Sequence, residues 1–145
     1  MRMTAGLVLI AASLVLVTAA FGDDDPIAAR QALMKRNGAE ARTAFLMAKG
    51  RMPFDPAAAA TAMNDIAADM AILPTLFPPG SDQGKTKASP DVFTNMDDFK
   101  ALAATMATDA KAAATAAPQG VDAFAAAFTT VDGDCSACHQ KYRVR

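Results

Sequence analysis

The sequence predicts an all-α fold, an antiparallel four-helix bundle. Three observations carry that prediction. Apolar residues recur at three- and four-residue steps in four separate stretches, the spacing that gathers them on one face of a helix. Two of those stretches open on an Asp-Pro pair, Asp25-Pro26 and Asp55-Pro56. There the carboxylate can cap free N–H groups, and the proline sits at the first helical position, where it has no hydrogen bond to lose. No stretch alternates polar and apolar residues with a period of two, and none resembles a phosphate loop.

The first helix is expected from Asp25-Pro26 to Lys49, with Gly50 closing it. Its inward face is read as Ile27, Gln31, Met34, Gly38, Ala41, Phe45 and Ala48. Gly38 in a helix interior costs about 1 kcal/mol against Ala, which the close approach of another helix or of a cofactor would explain. The second helix is expected from Asp55-Pro56 to about Leu73, on a stripe of Ala59, Met63, Ile66, Met70 and Leu73, with Pro74, Pro78 and Pro79 ending it. The span from Pro78 to Pro90, rich in Gly, Pro, Ser and Lys, is the one long loop. The third helix is expected from Asp91 to about Ala117, with Phe93, Met96, Phe99, Ala103, Met106, Ala110 and Ala113 inward. After the turn Pro118-Gln119-Gly120 the fourth carries Phe124, Phe128, Val131, Cys135, Cys138 and Tyr142, and Gly133 is expected to interrupt it. Two of the three connections are short, so neighbouring helices should run antiparallel.

At 145 residues the chain is a single domain. Much of its 52% hydrophobic content is alanine, which buries little area per residue, so a large apolar cofactor would make up a good share of the core. A net charge of -1 with no basic stripe argues against a nucleic-acid partner. At the N-terminus, Met1-Arg2-Met3, the apolar run Ala5 to Val17 and small residues up to Gly22 read as an export signal ahead of Asp23-Asp24-Asp25. Residues 1–22 are expected to be removed, leaving 23–145 as the working domain in the periplasm. The competing reading is an uncleaved anchor, for which the apolar run is at the lower length limit.

The most specific stretch is Cys135-Ser136-Ala137-Cys138-His139. A C-x-x-C-H sequence reads as covalent attachment of a c-type haem. Two thiols three apart on one helical turn can each add to a haem vinyl group, and the next residue can offer its imidazole to the iron. Both cysteines and the one histidine of the chain fall within these five residues, so chance clustering explains them poorly. Other chemistries fit less well. Zinc wants four ligands, and a fourth would have to be Asp132 or Asp134. A thioredoxin-like pair belongs in a strand–helix setting that is absent here. A plain disulfide leaves His139 without a role.

With one histidine, a haem with two imidazole ligands from this chain is excluded. The sixth iron position is either open or filled by another side chain, most plausibly a thioether. Met63, Met70, Met96 and Met106 read as core filler. Met34 stands apart, within Arg30-Gln31-Ala32-Leu33-Met34-Lys35.

The chain resembles the class II c-type cytochromes, the cytochrome c prime family, over about Asp25 to Arg145. That family carries its haem motif at the end of the last of four helices, and its first helix has an Arg-Gln pair followed by the residue over the distal haem face. Here those are Arg30, Gln31 and Met34. Leu33-Met34-Lys35-Arg36-Asn37-Gly38, Pro53-Phe54-Asp55 and Leu76-Phe77-Pro78 are similar to the low-spin branch, whose distal residue is a ligating Met. The resemblance implies one covalent haem c on Cys135 and Cys138, with His139 and Met34 as axial iron ligands. It also places Arg30 and Gln31 near a haem propionate and Arg143, four after His139, on the proximal side. One departure is Phe93, where many members carry Trp.

The expected function is periplasmic electron transfer with periplasmic or membrane redox proteins, as a monomer or homodimer. The alternative is a five-coordinate haem that binds NO or CO, with Met34 only a steric gate. No second histidine, third cysteine or paired carboxylates supply an acid–base or nucleophilic centre, so no enzyme is expected.

Overall fold

Both Asp-Pro caps form as their chemistry requires. The Asp25 carboxylate accepts from the Ala28 N–H at 2.9 Å, and Asp55 accepts from Ala57 and Ala58 at 2.9 and 3.1 Å. They start α1 (Pro26–Ala48) and α2 (Pro56–Ile72). The computed structural model describes residues 25–144, so the export segment read at 1–22 lies outside the described residues. Beyond α2 come a short 3-10 turn (Leu73–Leu76), the long loop, α3 (Asp91–Thr94), α4 (Met96–Ala116), a second 3-10 turn (Ala117–Gln119) and α5 (Val121–Tyr142). No strand occurs among the described residues; one isolated bridge joins Ala88 to Arg143.

The long helices close a four-helix bundle. α1 packs against α2 and α5, and α4 packs against the same two. The expected stripes of the last three helices are the core. Ala59, Met63, Ile66, Met70 and Leu73 are buried, as are Phe99, Ala103, Met106, Ala110 and Ala113, and Phe124, Phe128, Val131 and Tyr142. At the end of the bundle that holds the haem motif, Phe77 meets Phe99 edge-on at 5.0 Å and Phe99 meets Tyr142 at 5.2 Å. Phe93, at the position of the missing Trp, is half-buried against Phe77 at 5.9 Å.

Four local expectations are corrected. The buried face of α1 is Arg30, Leu33, Asn37, Ala44 and Met47, and the stripe through Met34 is its half-buried flank. Arg30 and Asn37, which lie outside the expected stripe, are turned inward. A Cβ on Gly38 would meet nothing within 4 Å, so no neighbouring helix accounts for that glycine. The third helix breaks at Asn95 (φ -123, ψ 41); its carbonyl accepts from Phe99 N at 3.0 Å and from the Tyr142 hydroxyl at 3.4 Å. Finally, α5 runs unbroken through Gly133, because the packed stripe on either side outweighs one residue's propensity.

Candidate haem site

The C-x-x-C-H motif lies in the last two turns of α5. Cys135 and Cys138 continue the buried stripe between Val131 and Tyr142, are half-buried against the core, and form no disulfide with each other. Burial pushes the Cys135 thiol up to about 11, with Asp132 and Asp134 adding to the effect. Burial first, then Asp98, raises Cys138. His139 is exposed, and burial of part of its ring followed by the Arg143 charge lowers its pKa, which favours the neutral imidazole that a metal needs. Among the described residues no group of three His, Cys, Asp or Glu side chains comes together as a metal site, so neither Asp132 nor Asp134 completes a zinc centre.

Two ion pairs orient the helices that carry His139 and Met34. On α5, Lys141 is two residues after His139 and therefore about 160° away around the helix. It reaches Asp98 of α4 at 2.7 Å. Asp134, about 140° from His139, likewise meets Asp109 of α4, and burial followed by that neighbouring carboxylate raises its pKa. His139, on another side of α5 from these two contacts, is exposed. On α1, Arg36 is two residues after Met34 and makes a two-pronged contact with Asp69 of α2, Nε to Oδ2 at 3.0 Å and Nη2 to Oδ1 at 2.5 Å. Met34, about 160° around the helix from Arg36, is half-buried against the core. Met34, half-buried, and His139, exposed, lie on two helices that pack against each other.

The long loop ties the same two helices together. Arg30 is 4% exposed. Its Nη1 donates to Leu76 O at 3.2 Å and Ser81 Oγ at 3.0 Å, its Nη2 to Ser81 O at 2.5 Å and Thr86 Oγ1 at 3.0 Å. The guanidinium lies 4.6 Å from the Phe77 ring centre. Burial lowers its pKa, and Asp25 and Asp82 oppose that shift. Gln31 Nε2 donates to Lys85 O at 2.7 Å. On the other side, Ser89 N donates to Tyr142 O and Val144 N to Lys87 O, both at 2.9 Å. Arg143, exposed, lies in the isolated bridge to Ala88. Tyr142 donates its hydroxyl to Asp98 at 2.5 Å, fixing the end of α5 on α4.

Sequence reasoning missed Ser81, Thr86, Asp98, Tyr142 as a donor, and Asn37. The first four work across long sequence separations with no local pattern. Asn37 sits between Lys35-Arg36 and Gly38-Ala39-Glu40, a polar run with no signal of burial.

The residues fit a haem. Two thiols and an imidazole at the end of α5 form its attachment set, and Met34 is half-buried on the adjacent α1. Three buried polar atoms at this end of α1, Arg30 Nε and both amide atoms of Asn37, have no hydrogen-bond partner within the protein, as expected beside a polar-edged cofactor.

Comparison with known proteins agrees. The family profile described as Cytochrome C' matches residues 25–143. Cytochrome c-556 of Agrobacterium fabrum is 38% identical over 116 residues, 80% of this chain and 79% of that protein. Cytochrome c' of Rhodopseudomonas palustris is 33% identical over 130 residues, 87% of this chain and 86% of that protein. A solved structure of cytochrome c' from Rhodopseudomonas palustris superposes with a TM-score of 0.79 at 33% identity, covering 83% of this chain and 97% of that one. Proteins of this group are haem electron carriers with covalently bound haem c. The chain belongs to the cytochrome c' family, the class II c-type cytochromes.

Proposed function

We propose that the protein is an exported electron carrier whose haem c is held by thioethers to Cys135 and Cys138, with His139 and Met34 as the two axial iron ligands. What supports this reading is the C-x-x-C-H motif in the last two turns of α5, with Met34 half-buried on α1, the helix packed beside it. When bound, the haem supplies a one-electron iron couple. The chain's residues tether it and hold its environment constant between oxidation states. The rigid turn of α5 fixes both thioether positions and the imidazole. Met34 supplies a soft sulfur ligand, which favours the reduced iron over a second imidazole or an open site. Arg30 Nε, Gln31 and Arg143 serve the carboxylate edge as charge-assisted or neutral donors.

Among the described residues no helix is long and apolar enough to cross a membrane. The relatives are periplasmic, and removal of residues 1–22 would deliver the mature chain there to meet periplasmic or membrane redox proteins. Mass spectrometry of the haem-loaded protein should find an N-terminus near Asp23.

The test of the ligand set is Met34→Ala. The wild type should be low-spin, show the weak near-infrared sulfur-to-iron charge-transfer band and resist CO. The variant should become mainly high-spin, lose the band and bind CO. If the wild type lacks the band and takes CO at once, the iron is five-coordinate and the protein is a gas-binding member of the family.

A further inference from the structure

Asn37 is 7% exposed on α1, and neither its amide nitrogen nor its amide oxygen has a hydrogen-bond partner. Buried amides are rarely left this way, and each such group has a specific reason. Its position supplies one. Asn37 is three residues after Met34, on the next turn and about 60° around the helix. Helical side chains lean toward the N-terminus, so Asn37 overlies the turn that holds Leu33 and Met34. Leu33 is buried and apolar and offers no acceptor. The Met34 thioether does, because sulfur is a weak acceptor and an iron bond uses only one of its two lone pairs.

We propose that Asn37 is a positioning residue of the haem site, donating its Nδ2–H to the Met34 sulfur on the lone pair that iron does not take. The proposal rests on the reading of Met34 as a ligand. The two side chains are not bonded in the described conformer, and the rotatable bonds of methionine bring its sulfur within reach. Both ends of the Asn37 amide are free, so a donor is available in either orientation of the group. The bond would hold the thioether in one orientation and oppose its departure from iron. An amide paired only for structural reasons would do neither.

The experiment uses the full haem-loaded protein and Asn37→Leu, which keeps the shape and removes the donor. The near-infrared band should shift and weaken. CO affinity of the reduced form should rise about twofold, the factor for a hydrogen bond at the weak end of the range, as a thioether acceptor makes. Asn37→Gln, with a donor on a longer arm, should recover part of both. An independent measurement on the reduced wild type is a through-space NMR contact between the Asn37 amide protons and the Met34 methyl. An unchanged band and CO affinity, with only the thermal midpoint altered, overturns the proposal, as does absence of the NMR contact. A wild type without the band overturns the ligand assignment first, and the two failures are told apart by that spectrum.

Discussion

Replacing Arg30 with Leu removes four hydrogen bonds at once, to Leu76 O, Ser81 Oγ, Ser81 O and Thr86 Oγ1. A bond to a charged donor contributes about 1.5–3 kcal/mol, so the gross loss is roughly 6–12 kcal/mol. Two effects offset most of it. Burying the guanidinium is itself unfavourable by several kcal/mol, and this burial already lowers its pKa. The loop, mostly exposed from Pro78 to Lys87, can turn its freed acceptors to water. The expected net loss is about 3 kcal/mol, a fall in Tm of about 10 °C for a domain of this size. Circular dichroism melting of the haem-loaded variant measures it. Trypsin gives a local readout, because Lys85 and Lys87 are exposed in the strap that Arg30 anchors. Cleavage there should accelerate in Arg30→Leu before global unfolding. A Tm within about 2 °C of wild type, with unchanged cleavage, would refute the anchoring role.

Asp98 carries a pH dependence. Its hydrogen bonds to Lys141, then Tyr142, hold its carboxyl below the usual value. Its stabilising contribution is therefore complete above the unfolded-state pKa of about 3.9 and lost as pH falls through the lower folded value. Asp98→Asn should lower the wild-type melting temperature at neutral pH and converge with wild type in acid; parallel curves down to the acid limit would sink the idea. Replacing both Cys135 and Cys138 with Ala should leave haem, if present at all, extractable by acidic acetone. Haem retained on that polypeptide after denaturation would place the covalent link elsewhere.

Much of the fold and part of the site were legible because they are local chemistry. The two Asp-Pro caps each act within three residues. The thiols and imidazole of Cys135, Cys138 and His139 share one turn of α5 because the spacing of a helix puts them there. The stripes of α2, α4 and α5 are strong enough that burial follows them.

What only the tertiary structure decided depends on contacts between distant residues. The enclosure of Arg30 by Ser81 and Thr86, more than fifty positions away, has no local signal in the sequence. The inward turn of α1 is set by Arg36 finding Asp69 and by the loop fastened to Gln31 and Tyr142. Those links, absent from any local window, moved the buried face from the stripe through Met34 to the one through Asn37. Gly133 stayed helical and Asn95 did not, although propensity reads a glycine as the weaker of the two. Packing on α4 and the Tyr142 hydroxyl supply energies larger than the few tenths to 1 kcal/mol by which single residues differ in helix preference. Local spacing determined which atoms can bind a haem. Long-range pairing decided how the helices that carry them pack together.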